Sequence, residues 1–239
     1  MSRLTLWMDR KFYPDTSDNW DDDVLRAAVL AKIDRTSHLL DLGAGAGIVP
    51  QMNFKDQVAR ACGVDPDPRV MSNPYLHEAR IGLGENIPFS DNEFDLVTAD
   101  NVLEHLVDPV AVFREVRRVL KPGGFFIAKT GNRNHYVTII ARMTPTWFHE
   151  FYNGLRGRDA EDTFPTLYQA NSRRQLEAIA RNSGFVVDAI DFVEDRPEYL
   201  RISALTYLAG VAYERAVNAS PALTSLRVLL LAHFRKSYS

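Results

Sequence analysis

Three glycines separated by single alanines, Gly43, Gly45 and Gly47, follow directly on the apolar run HLLDL at residues 38–42. An apolar strand that breaks into alternating glycines must turn sharply. Glycine enters left-handed backbone without strain, and such a turn leaves amide groups bare for a ligand. The stretch therefore commits the chain to a buried strand ending in a ligand-holding loop. The remaining pattern extends that strand into a sheet. Helical spacing runs over 21–33 behind a first turn of acids, and strands are expected at 37–42, 58–64 with Asp65 at the end, 79–83, 94–99 and 125–130. Asp108 and Pro109 open a helix that the KPGG turn at 121–124 closes. A helix over 172–182 and two strands within 184–194 and 225–236 complete the order. Strands alternating with helices predict an α/β fold: a doubly wound, mostly parallel sheet of seven strands, the last two free to form an antiparallel edge. Pro50 and Pro74 fall where the first two crossover helices belong and predict that both are short or irregular.

The 239 residues, 46% of them apolar, suffice for one α/β domain over 1–239. Two stretches exceed a minimal sheet: 132–171, rich in aromatics and arginine, after the fifth strand, and 195–223, helical in pattern, before the last. Insertions after strands fall beyond their carboxyl ends, where ligands bind in open α/β sheets, so both are expected to act as lids. With 28 basic against 31 acidic residues the net charge is −3, which gives no support to a nucleic-acid partner. The single cysteine, Cys62, excludes an intramolecular disulfide and is expected as a buried strand residue. The first residues are too charged for a signal peptide and no apolar run reaches 18 residues, so a cytoplasmic location is expected. The 195–223 stretch has an apolar face without a basic border, which lends membrane contact little weight.

The loop does not fit a phosphate ligand. Ile48 stands where a dinucleotide fingerprint needs its third glycine, and no Gly-Lys-Ser/Thr follows. Asp41, two residues before the first glycine, repels a pyrophosphate and attracts a cation. Asp65 ends the second strand, where an acid can accept both hydroxyls of a ribose. A ribose and a positive charge together describe S-adenosylmethionine.

The segments DLGAGAG, GVDPDP, ENIPFSDNEFDLV, NVLEHLVDP and REVRRVLKPGGFF stand in an order and spacing that resemble the class I S-adenosylmethionine-dependent methyltransferases, especially the type 11 branch of the ubiquinone and menaquinone pathways. The resemblance is close over 36–130 and looser over 171–185. It implies a Rossmann-like fold, S-adenosylmethionine as methyl donor and S-adenosylhomocysteine as product. By position it places Gly43, Gly45 and Gly47 against the methionine part, Asp65 on the ribose and Pro66 against the adenine. Glu85 and Asn86 would border the adenine edge, and Asn101 and Leu103 would flank the sulfonium. Leu83 stands where many relatives carry the acid that meets the adenine amine, which leaves that contact to Glu85 or a backbone carbonyl. Asn101 replaces the acid that would complete a metal set with Glu104 and His105, so no metal is expected and those two are read as a strand cap.

The expected reaction is in-line methyl transfer to a hydroxyl of a small-molecule acceptor, achieved mainly by alignment and exclusion of water. Transfer to nitrogen or carbon of a metabolite, lipid or sugar, and a non-catalytic protein that only binds the nucleoside, are the alternatives. A histidine would assist an alcohol or phenol. His135, just past the fifth strand, is the favoured base, with His149 deeper in the first insertion and His105 on the sulfonium side as competitors. The segment 11–23 could fold over the site and bring Tyr13 or Trp20 to the cofactor, or form an exposed cap.

Overall fold

Seven strands, β1 (His38–Leu42), β2 (Arg60–Asp65), β3 (Glu78–Ile81), β4 (Phe94–Asp100), β5 (Leu120–Gly131), β6 (Phe185–Val193) and β7 (Leu229–Lys236), form one sheet in the order β3-β2-β1-β4-β5-β7-β6. The computed structural model describes residues 3–143 and 166–238. β1 to β5 run parallel, with Asp41 beside Gly63 and Thr98, and Asp100 beside Lys129. β7 lies antiparallel to β5. This is the mostly parallel seven-stranded sheet that the sequence pattern predicts. Strands covered on both faces carry continuous apolar runs, and Leu39, Leu40, Leu96, Val97 and Ala99 are accordingly buried.

The helices are α1 (Arg3–Phe12), α2 (Trp20–Leu30), α3 (Pro109–Val119), α4 (Tyr136–Met143), α5 (Arg173–Ser183) and α6 (Ala204–Ala219). α3 begins as expected: the Asp108 carboxylate accepts from the Ala111 amide at 3.0 Å and Pro109 opens the first turn. It buries Val112, Phe113, Val116 and Val119, a helical stripe, and Phe113 meets Phe126 and Phe234 edge-on at 5.1 Å each. α5 is capped by Ser172 and ended by Gly184 at φ +77°. After β1 and β2 the chain makes only the short 3-10 turns Pro50–Met52 and Pro68–Ser72, the irregularity that Pro50 and Pro74 predict.

The chain divides into two compact units. The larger, Asp21–Thr130 with Thr166–Asp191 and Leu230–Ser239, holds nearly all of the sheet. The smaller comprises Met1–Trp20, Gly131–Pro165 and Phe192–Leu229, and takes in α1, α4, α6 and the described parts of both predicted insertions except 166–171. Met8, Tyr13, Tyr207 and Val211 form a core of the smaller unit. Around it Tyr13 donates to Glu214 at 2.9 Å, Tyr207 donates to Asp9 at 2.8 Å, and Arg201 pairs with Asp9 at 2.5 Å. Tyr13 is thereby committed within that unit, and Trp20 is buried. Among the described residues no helix is long and apolar enough to cross a membrane.

Candidate functional site

Residues of the larger unit converge at the carboxyl ends of β1, β2 and β4. The glycine loop leaves β1 with the Gly43 and Ala44 amides donating to the Val64 carbonyl at 2.8 and 3.3 Å, which holds it against β2. All three glycines are left-handed, at φ +80°, +50° and +72°. At Gly47 a Cβ would collide with the Asn73 side chain, while at Gly45 it would meet nothing within 4 Å among the described residues. The loop is thus packed on one side and, among the described residues, open on the other. Asn73 braces it, donating to the carbonyls of Ala44 at 2.9 Å and Gly45 at 3.2 Å.

Asp65 turns its carboxylate to this loop. One oxygen accepts from the Gly45 amide at 2.9 Å and the other from the Asp67 amide at 2.8 Å, which fixes the group at the strand end with acceptor capacity left on each oxygen. Asp41 is buried, and burial together with the charges of Asp100 and Asp65 pushes its carboxyl up to about 8. Next to it lies a charge cluster. Lys129, only 1% exposed, reaches Asp100 and Asp21 at 2.9 Å each and Asp22 at 2.5 Å. Burial pulls the Lys129 ammonium down, but Asp100, Asp21 and Asp22 outweigh it and raise it. Burial, reinforced by the carboxylates of Asp22 and Asp21, raises the Asp100 carboxyl against the attraction of Lys129. Among the described residues carboxylates thus outnumber cations at this end of the sheet, a setting that suits a cationic ligand.

Residues 40–128 match the methyltransferase domain family. Over that segment the chain carries a methyltransferase domain. The ubiquinone biosynthesis O-methyltransferase of Cereibacter sphaeroides is 32% identical over 117 residues, 46% of this chain and 47% of that protein. The chain therefore spans about half the length of the curated relatives it matches. Among solved structures, geranyl diphosphate C-methyltransferase from Streptomyces coelicolor, in complex with Mg2+, geranyl diphosphate and S-adenosylhomocysteine, is similar at TM-score 0.56 and 16% identity, covering 90% of this chain and 78% of that one. The cyclase SpnF is similar at TM-score 0.56 and 19% identity, over 91% and 81% of the two chains. At such identities the likeness is one of fold.

Within the methyltransferase domain, β4 leads into a tightly specified turn. Asn101 is left-handed at φ +52°, its amide donates to the Lys129 carbonyl at 3.0 Å, and its side chain donates to Asp100 at 2.9 Å. Asn101 is exposed, whereas Leu103 is fully buried. Glu104 accepts from the Thr130 hydroxyl at 2.6 Å, and its carbonyl accepts from the Leu167 amide at 2.7 Å and the Tyr168 amide at 3.2 Å. Thr130 in turn accepts from Asn171 at 2.7 Å, so Glu104 ties the turn to β5 and to residues 166–171. His105 is half-buried on the same turn. Pro66, Glu85 and Asn86 are exposed, with the Asn86 amide donating to the Leu83 carbonyl at 3.0 Å.

Asp41, Gly43, Gly45, Gly47, Asp65, Pro66, Glu85, Asn86, Asn101, Leu103 and His105 all belong to the larger unit. His135 belongs to the smaller one, and His149 lies outside the described residues. His135 is 1% exposed, and among the described residues neither ring nitrogen has a hydrogen-bond partner. Its Nε2 lies 3.6 Å from Glu194, and the rings of Tyr136 and Tyr213 lie 4.1 and 5.5 Å away. Burial alone drives the imidazole down to about 3, and burial lifts Glu194 to about 8. An imidazole so placed stays neutral at physiological pH and is a weak proton acceptor. Sequence reasoning missed Asn73 and the Lys129 cluster. An Asn before Pro marks a turn, and Asp100 and Lys129 are charges at the ends of otherwise apolar strands, but neither signal names a partner.

Proposed function

We propose that this protein binds S-adenosylmethionine in the larger unit and transfers its methyl group to a hydroxyl of a small-molecule acceptor. The observation that carries the reading is the open backbone at Gly45, pinned on its other side by Asp65 and Asn73 at the carboxyl ends of β1 and β2. In this reading the Asp65 carboxylate accepts the ribose hydroxyls, and the carboxylate excess around Asp41 holds the cationic methionine end. S-adenosylmethionine supplies a methyl group activated by its sulfonium, so the carbon–sulfur bond breaks, a carbon–oxygen bond forms, and a neutral thioether leaves. The protein's part is to align acceptor oxygen and methyl carbon and to keep water out. The O-methyltransferase relative supports oxygen over nitrogen or carbon.

The burial of His135 weighs against it as the base, and His105, on the turn that also carries Asn101, takes that role here. Calorimetry with S-adenosylmethionine, S-adenosylhomocysteine and NAD tests the cofactor. Binding of NAD and of neither sulfur nucleoside would end the reading. Labelled methyl donor offered with pools of phenols and alcohols, and separately with amines, tests the acceptor class. With an active hydroxyl acceptor in hand, His105→Ala is expected to lower turnover by roughly 10²–10⁴-fold while His135→Ala does not.

A further inference from the structure

A cavity of about 310 Å³ opens in the larger unit at the amino ends of the parallel strands, whereas the glycine loop lies at their carboxyl ends. The turn at Asp91 and Asn92, before β4 begins, the carboxyl half of α3 and the end of the antiparallel β7 meet there. Its walls carry Arg114, Arg117, Arg118 and Lys236 against the single carboxylate of Asp91. Arg118 is fully engaged. It pairs with Glu115 at 2.9 Å and Asp91 at 2.7 Å and donates to the carbonyls of Phe89 at 2.9 Å and Ile87 at 2.8 Å. Asp91 is therefore already matched.

The other three cations are not. Among the described residues Arg117 spends only its Nε, on the Gly184 carbonyl at 3.1 Å, and Arg114 makes one long bond of 3.4 Å to the Asn182 carbonyl. Lys236, 8% exposed, donates to the Asn92 side chain at 2.7 Å and the Leu120 carbonyl at 2.6 Å, both neutral acceptors. Among the described residues none of the three has a carboxylate within ion-pair distance. Arginines in the last turns of a helix are common for electrostatic reasons alone. A buried lysine brought beside them by a different strand is not explained that way. Burial and the Arg117 charge pull Lys236 below the usual lysine range, against the opposing pull of the Asp91 carboxylate, and an anion between Lys236 and Arg117 would favour its charged form.

We infer that this cavity is a binding site for a phosphate-type dianion, free or carried on a larger molecule, distinct from the methyl-transfer site. Two guanidinium forks with unspent N–H donors and an ammonium with one donor left match the acceptors of a phosphate. The volume leaves room for a second phosphate or the group that carries the first.

Pyrophosphate titrated into the full chain, with ionic strength held constant by chloride, is expected to bind saturably at one site. Arg114→Gln, a change at an exposed side chain, is expected to weaken it about fivefold. The double variant R114Q/R117Q should lose detectable binding with its thermal midpoint unchanged. A parallel sedimentation with phosphatidylcholine vesicles, with and without phosphatidic acid, separates the sources. Retention on the acidic vesicles that R114Q/R117Q abolishes assigns the anion to a lipid headgroup, and absence of retention assigns it to a soluble phosphate. Pyrophosphate binding equal in wild type and R114Q, or no saturable binding in the wild type, overturns the inference.

Discussion

Two single carboxylates support the cofactor reading beside the open glycine loop, and they can be tested separately. Asp65 is held by two backbone amides, so Asp65→Ala leaves the strand intact and removes charged acceptors, costing about 1.5–3 kcal/mol of S-adenosylmethionine affinity by calorimetry. Asp41 makes a prediction about pH. Its folded value near 8 stands above the unfolded value of about 3.9. Its contribution to stability is therefore full below about pH 4 and is lost as the pH rises through about 8. The unliganded thermal midpoint should fall across that window, and Asp41→Asn should flatten the fall. A cationic ligand favours the ionised acid, so S-adenosylmethionine affinity should rise from pH 6 to 8, by at most about tenfold per unit, and not in Asp41→Asn. An identical pH profile in the variant would sink this. The glycines, Asp41 and Asp65 were legible because their chemistry is local to one strand and its turn. The setting of His135 was not, because the neighbours that bury it, Tyr213 and Glu194, are distant in sequence.

Elements with regular periodicity appear where the sequence places them, and the exceptions have physical causes. α1 escaped notice because its inner face is Thr5, Met8 and Asp9, two of them polar, and its helicity rests on bonds made far along the chain to Tyr207 and Arg201. The junction of α2 with β4 and β5 was equally hidden, since the acids of α2 read as an ordinary helix start until Lys129 is placed under them. That junction predicts its own failure. Lys129→Met leaves Asp100, Asp21 and Asp22 crowded without a buried cation, a change that costs about 3 kcal/mol or more in comparable sites. Protonation can relieve the crowding, because burial already raises Asp100. Urea unfolding should show a large loss at pH 8 and a smaller one at pH 5. The same loss at both would mean that lost packing, not charge, sets the cost.

Across the whole molecule, the candidate cofactor residues all lie in one unit, while the core of Met8, Tyr13, Tyr207 and Val211 lies in the other. That core is fastened by buried polar bonds between segments some 200 residues apart in sequence, Tyr13 to Glu214 and Tyr207 to Asp9. Removing one hydroxyl leaves a buried carboxylate short of a donor, which costs about 1–3 kcal/mol. Compact units can open separately, each with its own free energy. Tyr13→Phe and Tyr207→Phe should therefore speed hydrogen exchange in α1 and α6 while the amides of β1, β2 and β4 keep their protection. Since no side chain of the glycine loop or of Asp65 is touched, S-adenosylmethionine affinity should stay within about twofold of wild type, a change of less than about 0.5 kcal/mol. Loss of protection in the central strands in step with α1 would show one cooperative unit. Loss of cofactor affinity with the strands still protected would show that the smaller unit contributes to the cofactor site.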